Sequence, residues 1–424
     1  MQLEAVKLSG EELRRAKAAL AGPNSSRDAE VTNASAAPGA ASAPAHAPLP
    51  LKSADPTTRE LALAAQRFAR AAQRQPDDFE AVYNHGLALQ ELATRAGASR
   101  AEQLRLLAEA CDCYEAAGRL REWSHAALYN CGVALSDMAR AAGPGDAPAA
   151  AQYLLGAAAK YATSLKWNPN NPQALNNWGL VLSELAGMRP PGERGYLAAH
   201  SIAKFRRAIR LRPEFDRACY NLGTVVYAHA GALAAPGALS PQLSQDPGAA
   251  AAAAADEEAS ERMFRLAAQY IVLAFALQPG KEVYRRSLGV VSELLPRPAL
   301  CAGALLAADP ASAGTCHERW ERCWFVADQD GFRSADRGAQ GQPAQAPPRH
   351  KVALGEVAAV KAVHDPSLPD GHAFWVALAS HPAGLYFVAE TEEEAEGWVD
   401  ALLLLAHLAA QACLPALRWA LAHV

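Results

Sequence analysis

Residues 157–179 read AAAKYATSLKWNPNNPQALNNWG, and the spacing of five residues within this stretch decides the fold. Ala157 is followed four positions later by the bulky Tyr161 and three positions after that by the small Ser164. A proline comes five residues further on, and a glycine ten residues after the proline. Small residues at i and i+7 of a helix allow a second helix to pack closely, and proline ends a helix. The stretch therefore predicts two successive helices, the second with a glycine that admits a close neighbour.

The same spacing of small, bulky, small, proline and glycine residues occurs five times along the chain. In one copy a glutamate stands in place of the proline. Repetition at one fixed offset indicates a series of helical hairpins. The copies are Ala64/Phe68/Ala71/Pro76/Gly86, Ala110/Tyr114/Ala117/Glu122/Gly132, Ala157/Tyr161/Ser164/Pro169/Gly179, Ser201/Phe205/Ala208/Pro213/Gly223 and Ala267/Ile271/Ala274/Pro279/Gly289.

These residues and offsets resemble the tetratricopeptide repeat (TPR), over about residues 56–295. The glycine-to-glycine distances are 46, 47, 44 and 66 residues, whereas the usual TPR period is about 34. All of the excess lies between each glycine and the next small residue. Either the two helices of each hairpin or the turn between them must therefore be longer than usual. The period alone would suit HEAT or armadillo repeats equally well, but the residue identities favour the TPR.

The sequence predicts a multidomain chain, in which residues 56–298 form an all-α, TPR-type solenoid of elongated hairpins. Residues 1–55 are expected to hold a short N-terminal helix and a flexible segment rich in Ala, Pro and Ser. A disordered insertion that runs into helix is expected at about 232–258, where prolines give way to seven consecutive alanines. Residues 299–411 form a second domain, and residues 412–424 a C-terminal tail.

An asparagine stands two residues before each of the first four glycines, and in three copies a tyrosine precedes it. The TPR resemblance implies that these side chains face the concave surface of the array. An asparagine ladder there, similar to that of the O-GlcNAc transferase repeats, implies binding of an extended peptide. The alternative is that each asparagine only satisfies helix ends or neighbouring hairpins. The candidate peptide-binding residues are Asn84, Asn130, Asn177, Asn221, Tyr83, Tyr129 and Tyr220.

Two features limit what such a surface would bind. No lysine or arginine stands beside the asparagines, so the carboxylate clamp of chaperone-tail-binding repeats is not expected. The fifth copy has Ser287 in the asparagine position, so the ladder is expected to stop there. Residues 204–212, KFRRAIRLR, carry five cations; this pattern suits an anionic partner or a solvated outer face, and the solvated face is favoured.

After residue 298 the hydrophobic pattern changes to aromatic and β-branched runs between turn residues, which predicts antiparallel strands. A Pro/Gln/Gly-rich loop occupies 338–348, and Thr391-Glu392-Glu393-Glu394 forms a capping box that opens one helix. Trp398 lies on the apolar face of that helix. The predicted strands are 300–306, 319–326, 351–363, 372–378 and 384–389.

Strands followed by a single tryptophan-bearing helix resemble the pleckstrin-homology (PH) domain, over about residues 299–411. The resemblance implies that the helix plugs one open end of a bent sheet and that Trp398 is structural. TPR arrays joined to such a domain, with alanine-rich insertions, are expected in green plants or algae. The matching residues are Gly303, Leu305, Trp320, Trp324, Phe325, Val326, Glu394, Trp398, Val399 and Leu402.

PH domains that bind phosphoinositides carry lysine or arginine on their first two strands. Here Ala302, Ala304 and Cys323 occupy the positions where those cations would be needed. Between residues 300 and 405 there are seven Lys/Arg and fifteen Asp/Glu, a net charge of −8 that an anionic membrane surface would repel. A protein-binding or structural module is therefore favoured over a lipid-binding one.

Several classes of function are disfavoured by composition. The net charge of −4 argues against nucleic-acid binding through bulk positive charge. The eight cysteines include no C-x-x-C pair, and the N-terminus resembles no signal peptide, so a reducing, cytoplasmic location is expected. No catalytic, phosphate-binding or zinc-binding pattern is found, which predicts a non-enzyme without metal, cofactor or small-molecule substrate.

The favoured function is thus a protein–protein interaction scaffold. A peptide of a partner would lie in the groove of the array, and the PH-like domain would offer a second contact surface. The alternative is an adaptor that is recruited to membranes when its PH-like domain binds phosphoinositides.

Overall fold

A computed structural model of the chain describes residues 56–95, 99–121, 124–234, 247–296, 298–308, 320–335, 348–381 and 383–423. The predicted N-terminal helix and flexible segment, and most of the loop at 338–348, lie outside these residues. The chain divides into two compact units, residues 1–189 and 190–424. This division falls inside the predicted array, whereas the sequence placed the domain boundary after residue 298.

Antiparallel helices follow one another along both units. The first unit holds α1 (Pro56–Arg74), α2 (Phe79–Ala93), α3 (Arg100–Leu120), α4 (His125–Ala142), α5 (Ala147–Trp167) and α6 (Pro172–Gly187). The second continues with α7 (Pro191–Leu211), α8 (Asp216–Ala234), α9 (Pro247–Leu277) and α10 (Glu282–Val291). We call the even-numbered helices α2 to α10, which carry the glycines, A-type, and the odd-numbered helices α1 to α9 B-type.

The long period of the repeat is explained by the length of its helices. Helices α2 to α7 contain 15 to 21 residues each, while the link between α4 and α5 spans only residues 143–146. Side-chain caps mark where the helices start: Asp78 Oδ1 accepts from two backbone N–H groups of α2, and Asn171 Oδ1 accepts from Ala174 N at the start of α6. The sequence left open whether the helices or the turn between them are longer than usual. In these hairpins the helices are longer.

The glycines of three hairpins have a close neighbour, as the sequence predicted, and that neighbour is the bulky residue of the B-type helix that follows. A Cβ added to Gly86 would lie 2.9 Å from Tyr114 Cε1, and one added to Gly132 would lie 2.8 Å from Tyr161 Cε1. At Gly223 the same test meets Ile271 Cγ1 at 2.8 Å. In each case the B-type helix presses its bulky side chain onto the A-type helix of its own hairpin, so no side chain larger than glycine fits without movement.

Replacing one of these glycines should overpack the hairpin. We expect Gly132→Leu to lower the free energy of unfolding by roughly 1–3 kcal/mol, because the buried Tyr161 ring has no space to withdraw into. Gly118→Leu is the matched control, since nothing lies within 4 Å of its added Cβ. Urea denaturation followed by circular dichroism measures both variants, and equal stability of the two would contradict the assigned packing.

The C-terminal part of the second unit contains a seven-stranded antiparallel sheet in the order β4-β3-β2-β1-β7-β6-β5. β1 pairs along its length with β2 and, through Leu306 and Ala307, with β7, so it joins two strand meanders. The strands are β1 (Cys301–Ala308), β2 (Trp320–Asp328), β3 (Gly331–Ala335), β4 (Lys351–Val352), β5 (Val357–Val363), β6 (His372–Leu378) and β7 (Leu385–Ala389).

The sheet differs from the prediction in two places. The single strand expected over 351–363 is broken by a 3₁₀ turn at Leu354–Glu356 into β4 and β5. β3 was not predicted, although the Asp330-Gly331 pair is a hairpin signal. Gly331 has a φ of 136°, a conformation that favours glycine. It pairs with Asp328 across the turn between β2 and β3.

The predicted helix after the strands is confirmed as α11 (Glu392–Ala410). Thr391 Oγ1 accepts a hydrogen bond from Glu394 N, as the capping box requires. Trp398 is buried, its ring 5.5 Å from that of Phe332, and it lies against Gly303 of β1. α11 therefore covers the aromatic core of the sheet.

Helix is also found in the expected tail and in the expected insertion. α12 (Leu414–His423) lies within the tail at 412–424, where Leu417 and Leu421 are buried, and it packs on α9. The insertion at about 232–258 was expected to run into helix, and its seven alanines lie inside α9, which begins at Pro247. Its first residues, 232–234, end α8. Alanine runs favour helix, which accounts for the helical part at α9.

Two cations of the basic segment on α7, Arg206 and Arg210, do not lie on the solvated face that the sequence predicted, whereas Arg207 is exposed. Arg210 Nε lies 2.7 Å from Asp400 Oδ1, and Arg206 Nε lies 3.2 Å from Asp400 Oδ2. Asp400 belongs to α11 and is fully buried, and Glu396 one turn earlier also pairs with Arg210. Tyr270 of α9 donates to Asp400 Oδ2 at 2.6 Å. The anionic partner of these cations therefore lies within the same chain.

This buried network ties three helices of the second unit together. Burial opposes the charge on Arg206, but the nearby Tyr270 and Asp400 outweigh that effect and raise the pKa of its guanidinium. The same burial raises the pKa of the Tyr270 hydroxyl, which keeps it a hydrogen-bond donor. Since every oxygen of Asp400 is used, the C-terminal domain is joined to the last hairpins by specific contacts rather than by a loose linker.

Candidate peptide-binding surface

The predicted site residues all lie within A-type helices. Asn84 and Tyr83 are on α2, Asn130 and Tyr129 on α4, Asn177 on α6, and Asn221 with Tyr220 on α8. All seven side chains are half-buried. The repeat thus places one polar group and, in three copies, one aromatic group at the same level of each A-type helix.

Hydrogen bonds join these residues from one A-type helix to the next. Asn130 Nδ2 donates to Tyr83 Oη at 2.7 Å, and Asn177 Nδ2 donates to Tyr129 Oη at 3.2 Å. In the second unit, Tyr220 Oη and Ser287 Oγ are 2.9 Å apart. The alternative was that each asparagine only makes hydrogen bonds to a neighbouring hairpin. It accounts for one N–H of Asn130 and one N–H of Asn177. Ser287, expected to end the row, continues it.

The first member of the row differs from the others. Asn84 makes no hydrogen bond to any residue in the described part of the chain, and its side chain is half-buried. Asn177 Oδ1, by contrast, accepts from Asn176 Nδ2 at 3.1 Å as well as donating to tyrosine. Asn84 therefore retains both its donor and its acceptor capacity for another group.

The tyrosines of the row are held by aromatic neighbours. Tyr83 stacks on Phe79 with ring centroids 5.5 Å apart, and the guanidinium of Arg121 lies 4.0 Å above the Phe79 ring. Tyr220 stacks on Tyr284 at 4.6 Å. Burial raises the pKa of Tyr83, partly offset by the bond from Asn130, so its hydroxyl stays neutral. These rings offer flat, rigid contact area beside the amide groups.

A further row was missed by the sequence reasoning, although a fixed offset marks it. An acidic residue stands five positions after the first three glycines: Glu91, Asp137 and Glu184. Glu91 pairs with Arg95 at 2.8 Å, and Asp137 with Arg140 at 2.7 Å. Burial raises the pKa of Glu184, and nearby Arg140 partly offsets it. A row of acids thus follows the asparagines along the same helices of the first unit.

One cysteine–histidine contact lies among these helices. Cys113 Sγ is 3.3 Å from His85 Nδ1. Burial, with help from neighbouring acids, raises the pKa of the Cys113 thiol to about 12. At neutral pH this sulfur is a protonated thiol rather than a thiolate nucleophile.

On the C-terminal domain, the β1 positions where a lipid site would need cations line a cavity. Ala302 and Ala304 border this cavity of about 300 Å³ together with residues of α11 and of α9, among them Arg262 and Arg265. Among the described residues, no group of His, Cys, Asp or Glu is arranged to hold a metal ion. No helix in those same ranges is long and apolar enough to cross a membrane.

Comparison with known proteins gives structural likenesses only. MamA is 18% identical over 42% of this chain and 82% of its own, with a TM-score of 0.31. YrrB, described as a TPR protein with an unusual peptide-binding site, is 15% identical over 55% of this chain and 95% of its own, with a TM-score of 0.30. A TPR repeats protein from Bacteroides fragilis NCTC 9343 is 14% identical over 56% of this chain and 93% of its own, with a TM-score of 0.27. No protein-family model and no curated protein matches the sequence.

The bond between Asn130 and Tyr83 gives a direct test of the structural part of the row. We expect Asn130→Ala to destabilise the first unit by roughly 0.5–1.5 kcal/mol, because an inter-helix hydrogen bond is lost. Asn84→Ala, the same change without such a bond, should leave the free energy of unfolding within a few tenths of a kcal/mol, since alanine is the better helix former. Thermal denaturation measures both, and equal losses would argue against the assigned bond.

Proposed function

We propose that the chain is a non-enzymatic adaptor whose helical array, of the TPR type, holds an extended peptide of a protein partner. The observation that carries the proposal is the row of half-buried asparagines and tyrosines, repeated once per hairpin. An extended peptide presents its N–H and C=O groups at regular intervals, which a row of amides and hydroxyls can match. Asn84, with both amide groups unused by the described residues, is the strongest contact.

The helices offer apolar contacts beside these polar groups. Leu87, one residue after Gly86, is exposed, and the equivalent Val133 and Leu180 are half-buried. Aromatic anchors next to apolar side chains are the usual composition of binding hot spots. The acids Glu91 and Asp137 on the same helices already pair with Arg95 and Arg140, so the proposal sets no charge preference for the peptide.

The PH-like identity of the C-terminal domain is part of the same proposal. In its support, β1 joins two antiparallel meanders, and a single helix bearing buried Trp398 covers the aromatic core. The domain then supplies a second interaction surface. The phosphoinositide alternative has weaker support, because Ala302 and Ala304 occupy the positions where a lipid site would need cations and the domain carries a net charge of −8 between residues 300 and 405.

Peptide binding is tested with the full chain. Panning a phage-displayed random peptide library and titrating the selected peptides by fluorescence anisotropy gives ligands and Kd values. Asn84→Ala should raise Kd about two- to tenfold, as expected for one lost hydrogen bond, without changing helical content. Asn170→Ala, the same change in the exposed turn between α5 and α6, is the matched control. Equal Kd values for both variants, or no selected peptide, would contradict the proposal.

The membrane alternative is tested in parallel by co-sedimentation of the full chain with vesicles that contain phosphoinositides. We expect no pelleting above that seen with neutral vesicles. Clear, salt-sensitive pelleting would favour membrane recruitment and would give the C-terminal domain a lipid partner.

A further inference from the structure

The first helix of the described array, α1, leaves its packing face only partly covered, and we call this the uncovered face of α1. Ala64, Phe68 and Ala71 of α1 are half-buried. The equivalent bulky residues of the other B-type helices, Tyr114, Tyr161, Phe205 and Ile271, are at most 3% exposed, and their small neighbours are buried too. Since Phe68 holds the same place in the repeat, it lacks a neighbour that the others have.

The neighbour that covers this face elsewhere is the A-type helix of the same hairpin. Tyr114 of α3 lies over Gly86 of α2, and Tyr161 of α5 lies over Gly132 of α4. α1 packs on α2, the next hairpin's A-type helix, through Ala62, Ala65 and Ala69. Within the ranges that the structure describes, no A-type helix precedes α1. The uncovered face is therefore the one that an A-type helix of its own hairpin would occupy.

The A-type helices α2, α4, α6 and α8 share one sequence pattern. The pattern is an alanine, an apolar residue directly after it, a glycine five positions after the alanine, and a second apolar residue eight positions after the alanine. These positions are buried with the single exception of Leu128, which is half-buried. The four instances are Ala81/Val82/Gly86/Leu89, Ala127/Leu128/Gly132/Leu135, Ala174/Leu175/Gly179/Leu182 and Ala218/Cys219/Gly223/Val226.

The last A-type helix shows that the pattern follows the partner. α10 has Tyr284, Arg285, Gly289 and Ser292 at the four positions, so only the glycine is kept. A Cβ added to Gly289 would meet nothing within 4 Å, so no bulky side chain presses on it. Where the pattern is lost, the packing of a B-type helix on the glycine is lost as well.

The same pattern occurs once more, ahead of α1. Residues 5–13 contain Ala5, Val6, Gly10 and Leu13 at the required spacing. We propose that residues 3–19 form the A-type helix missing from the first hairpin and pack on the uncovered face of α1, with Gly10 beneath Phe68. Residues 20–55 then connect the two helices at the place where the other hairpins also vary in length. At up to about 3.3 Å per residue, this connection is long enough to reach.

The test uses the full chain with p-benzoylphenylalanine at position 68. Light and ¹⁵N-labelled copies are mixed before irradiation, and the cross-linked peptides are identified by mass spectrometry. The expected product joins position 68 to residues 3–13 of the same copy. Cross-links between light and heavy copies would assign the face to self-association and overturn the proposal. Absence of any cross-link to residues 3–13 would overturn it too.

A matched pair of variants tests the role of Gly10 in the same experiment. Gly10→Leu should reduce the cross-link on the order of tenfold or more, because a larger side chain cannot fit beneath the residue at position 68. Glu11→Leu is the control, since Leu87 and Leu180 stand at that position in α2 and α6. It should leave the yield unchanged. An equal yield from Gly10→Leu and Glu11→Leu would mean that the glycine does not face α1.

Discussion

Asp400→Ala should lower the free energy of unfolding of the second unit by about 3–5 kcal/mol, among the largest effects of a single substitution in this chain. The carboxylate is fully buried and holds Arg206, Arg210 and Tyr270. Its removal leaves the Arg206 charge inside the protein without its carboxylate partner, and an uncompensated buried charge is costly. Urea denaturation and hydrogen exchange of peptides from α7, α9 and α11 measure the loss.

Two further variants separate the buried network from ordinary surface charge. Glu261→Ala breaks the ion pair between Glu261 and Arg265, two largely exposed side chains. It should lower the free energy of unfolding by well under 1 kcal/mol. The double variant Arg206→Met/Asp400→Leu removes both buried charges and should lose less stability than Asp400→Ala alone. If Asp400→Ala were as stable as Glu261→Ala, the network would not join α11 to the array.

The contrast between the repeats and this network shows what the sequence can predict. The repeated spacing of small, bulky, proline and glycine residues predicted helical hairpins in which the glycine has a close neighbour. It did not identify that neighbour, which for Gly132 is Tyr161. Arg210 and Asp400 are separated by 190 residues, and only one copy of the pair exists. Without a repeated offset, the segment that contains Arg206 and Arg210 could be interpreted only by its composition, and composition suggested a solvated face.

The candidate site was predicted in position but not in its internal bonding. The recurrence of asparagine two residues before glycine located the row on the A-type helices. The tyrosine that precedes Asn84 was interpreted separately as a contact for ligands, whereas Tyr83 accepts a hydrogen bond from Asn130 of the next hairpin. The pairing depends on how far successive A-type helices are offset, and that distance is set by helix lengths that the sequence left open.

Trp398→Ala is the second substitution with a large expected effect, about 3–5 kcal/mol on the second unit. The indole is only 6% exposed, packs against Phe332, and lies over Gly303, where a larger side chain would meet it. Removing it leaves a cavity between α11 and the sheet that the surrounding rings cannot fill. Trp419→Ala is the matched control, because that tryptophan is 41% exposed on α12. Urea denaturation should show a clearly smaller loss for Trp419→Ala; equal losses would mean that α11 does not hold the sheet closed through Trp398.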